Sequence, residues 1–181
     1  YGQCTVPSPN SGFVAVAAGN AYSLGLKSNG SIVAWGRNEY GECTLPPSNM
    51  GFVAIAAGAG HGLGLRANGS IAAWGMNNFN QCDIPTPNNG FVAISAREHC
   101  SSGLRSNGSI SVWGWNTYEQ CNVPIPNSDF LSVELGGTHC LALVTSGNLQ
   151  VTLLSPEAVS AGARWRLTSE TVEVWHSSGD V

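Results

Sequence analysis

GFVAIAAGAGHGLGLRANGSIAAWG, running from Gly51 to Gly75, decides the fold because the chain contains it more than once. Gly12–Gly36 and Gly90–Gly114 carry the same stretch with few changes, and a decayed copy begins at Asp129. The period is 39 residues: it separates Cys4, Cys43, Cys82 and Cys121, then Trp35, Trp74 and Trp113, then Asn29-Gly30, Asn68-Gly69 and Asn107-Gly108, and also Pro7, Pro46, Pro85 and Pro124. No insertion or deletion breaks this register before Gly147. Self-similarity at a period of about 20–50 residues belongs to solenoids, propellers and arrays, in which each unit buries its apolar face against its neighbours.

Within the first repeat, Phe13–Ala18 is a short apolar run bounded by glycine, the pattern of a strand covered on both faces. Tyr22–Lys27 alternates with period two and sets Leu24 and Leu26 on one face. Ser28-Asn29-Gly30-Ser31 is a hairpin signal, since Asn-Gly suits a type I′ turn with positive φ at both central residues. Ile32–Trp35 then returns. A two-residue turn predicts that Leu26 opposes Val33 and Leu24 opposes Trp35, leaving the small Gly25 and Ala34 on the reverse face for close packing. Gly36–Pro47 is a polar connector whose prolines suit an edge, because proline lacks the ladder N–H.

The repeats divide the chain as 1–11 (the tail of a preceding unit), 12–50, 51–89, 90–128 and a partial 129–148. The second has His61 in the slot of Tyr22. The third replaces a glycine-rich connection with Arg97-Glu98-His99-Cys100-Ser101-Ser102. The fourth keeps Gly136, His139, Leu141 and Leu143, then places Thr152 where tryptophan belongs. Because it opens inside a repeat, the chain is expected to be a piece of a longer protein. From residue 149 to 181 the texture changes, and the alternation at Trp165/Leu167 and Val172/Val174 predicts the start of a second, β-sandwich-like module. Two or three strands are too few for a stable domain alone.

Composition narrows the function. Charged residues make up 10% of the chain, well under the roughly 25% of an average domain, and 23 glycines mark a turn-rich all-β protein. The net charge is −4 and the seven basic residues are scattered, which argues against a nucleic-acid surface. No apolar run nears the about 20 residues of a membrane-spanning helix. No signal peptide is visible.

Catalytic signatures are missing: there is no Gly-x-Ser-x-Gly, no His-Glu-x-x-His and no phosphate-cradling Gly-rich loop. The reading is therefore of a non-enzyme without cofactor or metal. His61 and His139 recur at one repeat position, as structural histidines do, and the Cys/His spacings do not match a zinc site. The connector cysteines read as small buried hydrophobes used once per repeat. Cys100 and Cys140 fall outside that series, and whether they bridge is open. Glu39 and Glu42 read as a solvated polar connector. The Asn-x-Ser triplets at Asn29, Asn68 and Asn107 are explained by the hairpin turn.

The recurring Gly-x-x-Ala-Ile-Ala-Ala-Gly…His…Leu-x-Leu…Asn-Gly-Ser-Ile…Trp-Gly-x-Asn…Glu/Gln-Cys resembles the regulator of chromosome condensation repeat over residues 1–148. The 39-residue version looks like the bacterial branch, and propeller-type β-lactamase inhibitory proteins look like its relatives. The segment after 149 weakly resembles β-sandwich repeats of bacterial surface proteins. The resemblance implies an all-β fold: a partial β-propeller, an open arc of three to four blades with three to four antiparallel strands each, followed by a truncated β module. The family's common ring of seven blades would need about 270 residues at this period, so exposed flanks and self-association through them are expected.

Function should lie where the repeats differ. An aromatic series, Tyr1, Tyr40, Phe79 and Tyr118, also steps by 39 and reads either as packing against the next blade or as a binding rim. The variable positions are Asn20, Tyr22, Arg37 and Glu39 in the first repeat, and Met76 and Asn78 in the second. In the third they are Arg97, Glu98, His99, Trp115 and Thr117. Variation inside a rigid frame suits a recognition surface built from loops, and Trp115 and Arg97 are the expected anchors, since Trp and Arg dominate hot spots. The partner is expected to be a protein, or a surface glycan, in an exported or cell-surface bacterial setting. The alternatives are nucleotide exchange on a small GTPase, the activity of the family's founder, or inhibition of a secreted enzyme such as a β-lactamase.

Overall fold

The computed structural model describes residues 1–123, 125–144 and 149–152. Its elements are twelve strands in four antiparallel three-stranded sheets. The first sheet holds β1 (Phe13–Ala18), β2 (Tyr22–Lys27) and β3 (Ile32–Gly36); the second holds β4 (Phe52–Ala57), β5 (His61–Arg66) and β6 (Ile71–Gly75). The third holds β7 (Phe91–Arg97), β8 (Cys100–Arg105) and β9 (Ile110–Gly114); the fourth holds β10 (Phe130–Leu135), β11 (Cys140–Val144) and β12 (Leu149–Thr152). The first strands of successive sheets approach one another, so each sheet fans from an inner first strand to an outer third strand, as the blades of a propeller do.

The hairpin turn differs from the expected type I′. Gly30 N donates to Lys27 O (2.9 Å) and Lys27 N donates to Ser31 O (2.8 Å). Of the central residues only Gly30 takes a positive φ, 79°. Asn29 serves by its side chain, Oδ1 accepting from Ser31 N (3.0 Å) and Ser31 Oγ (2.7 Å). The loop is thus one residue longer, and the register moves with it: Leu26 opposes Ile32, Leu24 opposes Ala34, and Trp35 opposes Ser23. A one-residue slip exchanges faces. Trp35 therefore joins Phe13 over Gly25, their rings 6.2 Å apart, while Ala34 sits on the leucine face.

Each blade packs its leucine face on the aromatic face of the next. Leu24, Leu26 and Ile32 meet Phe52 and Trp74, Leu63, Leu65 and Ile71 meet Phe91 and Trp113, and Leu104 and Ile110 meet Phe130 and Val133. Full burial of one such side chain is worth about 1.5–3 kcal/mol, so the interfaces hold the array together. Trp74 and Trp113 are 6% and 7% exposed, whereas Trp35, on the first blade's outer flank, is only half-buried and Val16 beside it is 76% exposed.

Side-chain amides lock the repeat. Asn49 Oδ1 accepts from Ile32 N and its Nδ2 donates to Ile32 O, both at 2.8 Å, and Asn88 clips Ile71 likewise. One boundary is corrected: β12 pairs with β11, so the fourth sheet runs past residue 148. The second module expected over the rest of 149–181 lies outside the described residues.

Candidate functional site

At one end of the blades the chain exposes two kinds of loop. Inner tips join the first and second strands, around Asn20, Ala59 and Glu98. Outer connectors leave the third strands at the same end, because Arg37 N donates to Ala21 O (2.8 Å), Met76 N to Gly60 O (2.8 Å) and Trp115 N to His99 O (2.9 Å). The tips are chained across blades, Asn20 N donating to Ala59 O at 3.3 Å and Ala59 N to Glu98 O at 2.8 Å. Between them lies a cavity of about 430 Å³ edged by Gly19, Asn20, Gly58, Ala59, Arg97 and Glu98.

Each connector is held by one buried polar residue, and for Glu42 this corrects the sequence reading, which placed it in solvent. Glu42 is fully buried, as are Gln81 and Gln120 in its slot. Its carboxylate accepts from Tyr40 N (2.8 Å), as the amide oxygens of Gln81 and Gln120 accept from Phe79 N and Tyr118 N (2.9 Å each). The backbone carbonyl of the same residue takes the indole N–H of the next blade's tryptophan: Trp74 to Glu42 at 2.8 Å and Trp113 to Gln81 at 3.0 Å. Gln3 does this for Trp35 at 2.8 Å. Glu42 also pairs with Arg37 at 2.7 Å. Burial alone would raise its pKa, but hydrogen bonds from its own and Tyr40's N–H and from Arg37 outweigh that and lower it. The signal for this role was the Glu/Gln preceding each of Cys4, Cys43, Cys82 and Cys121.

With connectors fixed, the variable side chains separate into groups. Phe79, His99, Trp115 and Tyr118 converge. Phe79 reaches from the second connector to His99 on the third inner tip (ring centroids 4.8 Å) and Trp115 (6.1 Å), and Trp115 meets Tyr118 edge-on at 5.1 Å. Phe79 is 40% exposed; the other three are half-buried. Arg97 and Glu98 stand exposed beside this cluster on the same tip. In the first blade Arg37 lies over the Tyr40 ring, 5.5 Å from its centroid. Met76 packs by Gly60. Glu39, Asn78 and Thr117 are exposed and make no side-chain hydrogen bond among the described residues.

Tyr22, expected on the surface, is buried, 1% exposed. Its hydroxyl donates to His61 O and lies 3.3 Å from Gly58 O in the next blade; burial, then the charge of Glu42, pushes its pKa far up. His61 below it is fully buried. Ser101 Oγ donates to Gln81 O (2.8 Å), so at 2.9 Å His61 Nε2 is the donor to Ser101 Oγ, and Nδ1 has no partner. Burial first, and the charge of His99 second, lower its pKa to about 4. The ring is neutral at neutral pH and structural.

All six cysteines are free thiols, which answers the question left open for Cys100 and Cys140. Among the described residues, no group of three or more His, Cys, Asp or Glu is placed to hold a metal ion. Among the described residues no helix is long and apolar enough to cross a membrane.

Comparison with known proteins now places the fold. Residues 13–42 and 52–81 match the regulator of chromosome condensation (RCC1) repeat. Among solved structures, Prp20p from Saccharomyces cerevisiae superposes with a TM-score of 0.67 at 20% identity, over 78% of this chain and 46% of that one. Human WBSCR16 gives 0.64 at 19% identity, over 76% and 46%. The receptor kinase CR4 ectodomain of Physcomitrella patens gives 0.64 at 23%, over 76% and 40%. The chain thus spans less than half the length of these structures. No curated protein matches it. The chain carries regulator of chromosome condensation repeats folded as part of a β-propeller.

Proposed function

We propose that this stretch of propeller is a non-enzymatic scaffold that binds a protein partner through the loop face of its third blade. The observation that carries this is the aromatic cluster, in which two connectors and one inner tip bring Phe79, His99, Trp115 and Tyr118 together while leaving them partly exposed. Aromatic side chains and arginine supply most hot spots of protein interfaces, and Arg97 stands two residues from His99. The structural neighbour Prp20p has binding properties to Gsp1p and histones and has been crystallised with Kap60 bound, so protein binding accords with the fold. We place the parent protein on a bacterial surface or outside the cell, a setting motivated by the low charge; a full-length gene without an export signal opposes it.

The test compares three immobilised proteins: wild type, a Phe79→Ala/Trp115→Ala double variant, and Ala67→Asp on the hairpin turn at the opposite end. Partners captured by the wild type are identified and titrated individually. The double variant should bind at least about tenfold more weakly and Ala67→Asp unchanged. Equal binding by all three sinks the proposal. Faster release of labelled nucleotide from a small GTPase would replace it with exchange activity, and inhibition of a β-lactamase with an inhibitor's role. Retention of glycans alone would keep the face but change the partner.

A further inference from the structure

Beneath the aromatic cluster the third blade carries a feature its neighbours lack. In each of the first three blades the connector cysteine donates its thiol to the carbonyl that opens its own connector: Cys43 to Arg37 O, Cys82 to Met76 O and Cys121 to Trp115 O, each at 3.3 Å. The slot opening the middle strand beside it holds Tyr22, then His61, then Cys100. Cys100 Sγ donates to the same Trp115 carbonyl, also at 3.3 Å. Two thiols sharing one acceptor oxygen lie close together, and Cys121 packs against the buried cluster that holds Cys100. The surrounding wall is formed by Val112, Leu135 and Cys140, and the Cys140 thiol is directed elsewhere, to Gln120 O at 3.1 Å.

We propose that Cys100 and Cys121 form a reversible disulfide with low-molecular-weight disulfides as the oxidant, a redox site directly under the face that carries Trp115 and Tyr118. Access, not acidity, starts exchange at Cys121, which is half-buried where Cys100 is buried; the contact between the two thiols holds the Cys121 pKa up and the Cys100 pKa down, which suits Cys100 to the second, resolving attack. The Cys121 thiolate attacks one sulfur of the small disulfide, whose S–S bond breaks; the leaving thiolate takes up a proton equivalent to the one Cys121 lost. Cys100, deprotonated in turn, attacks the Cys121 sulfur of the mixed disulfide and displaces the second small thiol. Two protein thiols are oxidised by two electrons and one small disulfide is reduced to two thiols. The link removes both thiol donors from the Trp115 carbonyl and ties β8 to the connector bearing the aromatic pair.

The experiment equilibrates the full chain in glutathione buffers of increasing oxidised fraction, quenches with an alkylating agent and maps the peptides. The expected result is loss of two of the six thiols to a Cys100–Cys121 cross-link, with Cys43 and Cys82 still alkylated. Cys140→Ser should leave the cross-link intact, and Cys121→Ser should leave Cys100 reduced. A Cys100–Cys140 cross-link, a glutathione adduct that stays on Cys121, or full alkylation of both cysteines in the most oxidising buffer overturns the proposal. As a second readout independent of folding in the variants, reduced wild type should bind a trivalent arsenical at this pair and lose that binding on oxidation; an arsenical that fails to bind counts against it.

Discussion

Mild acid should destabilise this fold through one residue, His61. Its ring is fully buried, Nε2 donates to Ser101, and Nδ1 has no partner. A proton added at Nδ1 would be buried against Gly58, where even a methyl carbon would stand 2.4 Å from that nitrogen. Burial, and then the charge of His99, hold the folded pKa at about 4 against an ordinary 6.5. The folded value is the lower one, so the unfolded chain takes up the proton first as pH falls. His61's contribution is therefore complete above about pH 6.5 and is lost progressively as pH drops toward 4. At about 1.4 kcal/mol for each pH-unit difference in pKa, the whole effect is about 3 kcal/mol, of which about 2.5 is gone by pH 4.5. Glu42 also has a lowered pKa, but its contribution falls away only below its ordinary 4.5, so the interval above that belongs to His61. Urea denaturation at a series of pH values between about 4.5 and 7, analysed for midpoint at constant slope, reads the loss directly. His61→Gln, whose amide can still donate to Ser101 but does not titrate, should flatten the curve there. A wild type whose stability is flat over that interval, or a His61→Gln variant with an undiminished slope, refutes the reasoning.

Other outcomes follow from the frame. Trp74→Ala removes a ring that is 6% exposed and an indole donor to Glu42, and should cost about 3–5 kcal/mol; the same change at half-buried Trp35 should cost distinctly less by the same denaturation. Asn88→Ala leaves both backbone groups of Ile71 without their 2.8 Å partners, a loss of about 1–3 kcal/mol that amide exchange at Ile71 should report as local opening. Gly64→Ala puts a methyl 2.6 Å from the Phe52 ring, so stability should fall by about 1–3 kcal/mol although alanine is the better strand residue; a neutral effect would mean that Phe52 has room to swing away.

The repeat period made the strands, their number and the inter-blade aromatics legible, because burial against an identical neighbour demands the same residue types at the same steps. The register was not legible. Asn-Gly serves both a two-residue type I′ turn and the longer loop found here, and the discriminating bonds, Asn29 Oδ1 to the Ser31 N–H and hydroxyl, come from a serine that either turn tolerates. That one-residue difference moved Trp35 to the opposite face. At the site, the candidate positions included the four side chains that the structure brings together, Phe79 and Tyr118 from the aromatic series and His99 and Trp115 from the variation among repeats, but variation also pointed to Tyr22, which is buried. Variation alone cannot separate exposed loops from a buried slot filled differently in each blade. A steric signal could have done so. A methyl on Gly19 would lie 2.0 Å from the Tyr22 ring, one on Gly58 2.1 Å from His61, and one on Gly136 2.4 Å from His139. Gly-x-x-Tyr/His therefore marks a ring folded under its own loop.

That signal explains why the third blade could become the distinctive one. Where the slot residue is the small Cys100, no ring lies under the tip, and the glycine requirement lapses. Arg97 stands in the glycine position there, followed by Glu98 at φ 46° and His99. The hydrogen bond between this tip and its neighbour, Ala59 N to Glu98 O, is made by backbone, so it did not constrain these side chains. Exchanging a buried ring for cysteine thus accounts for three features of the third blade at once: a charged tip, room for His99 to meet Phe79 and Trp115, and a second thiol beside Cys121. If that linkage is correct, Cys100→His should be tolerated only together with Arg97→Gly. The single Cys100→His variant should be the less stable of the two, and equal stability of the single and double variants would break the connection between slot and tip.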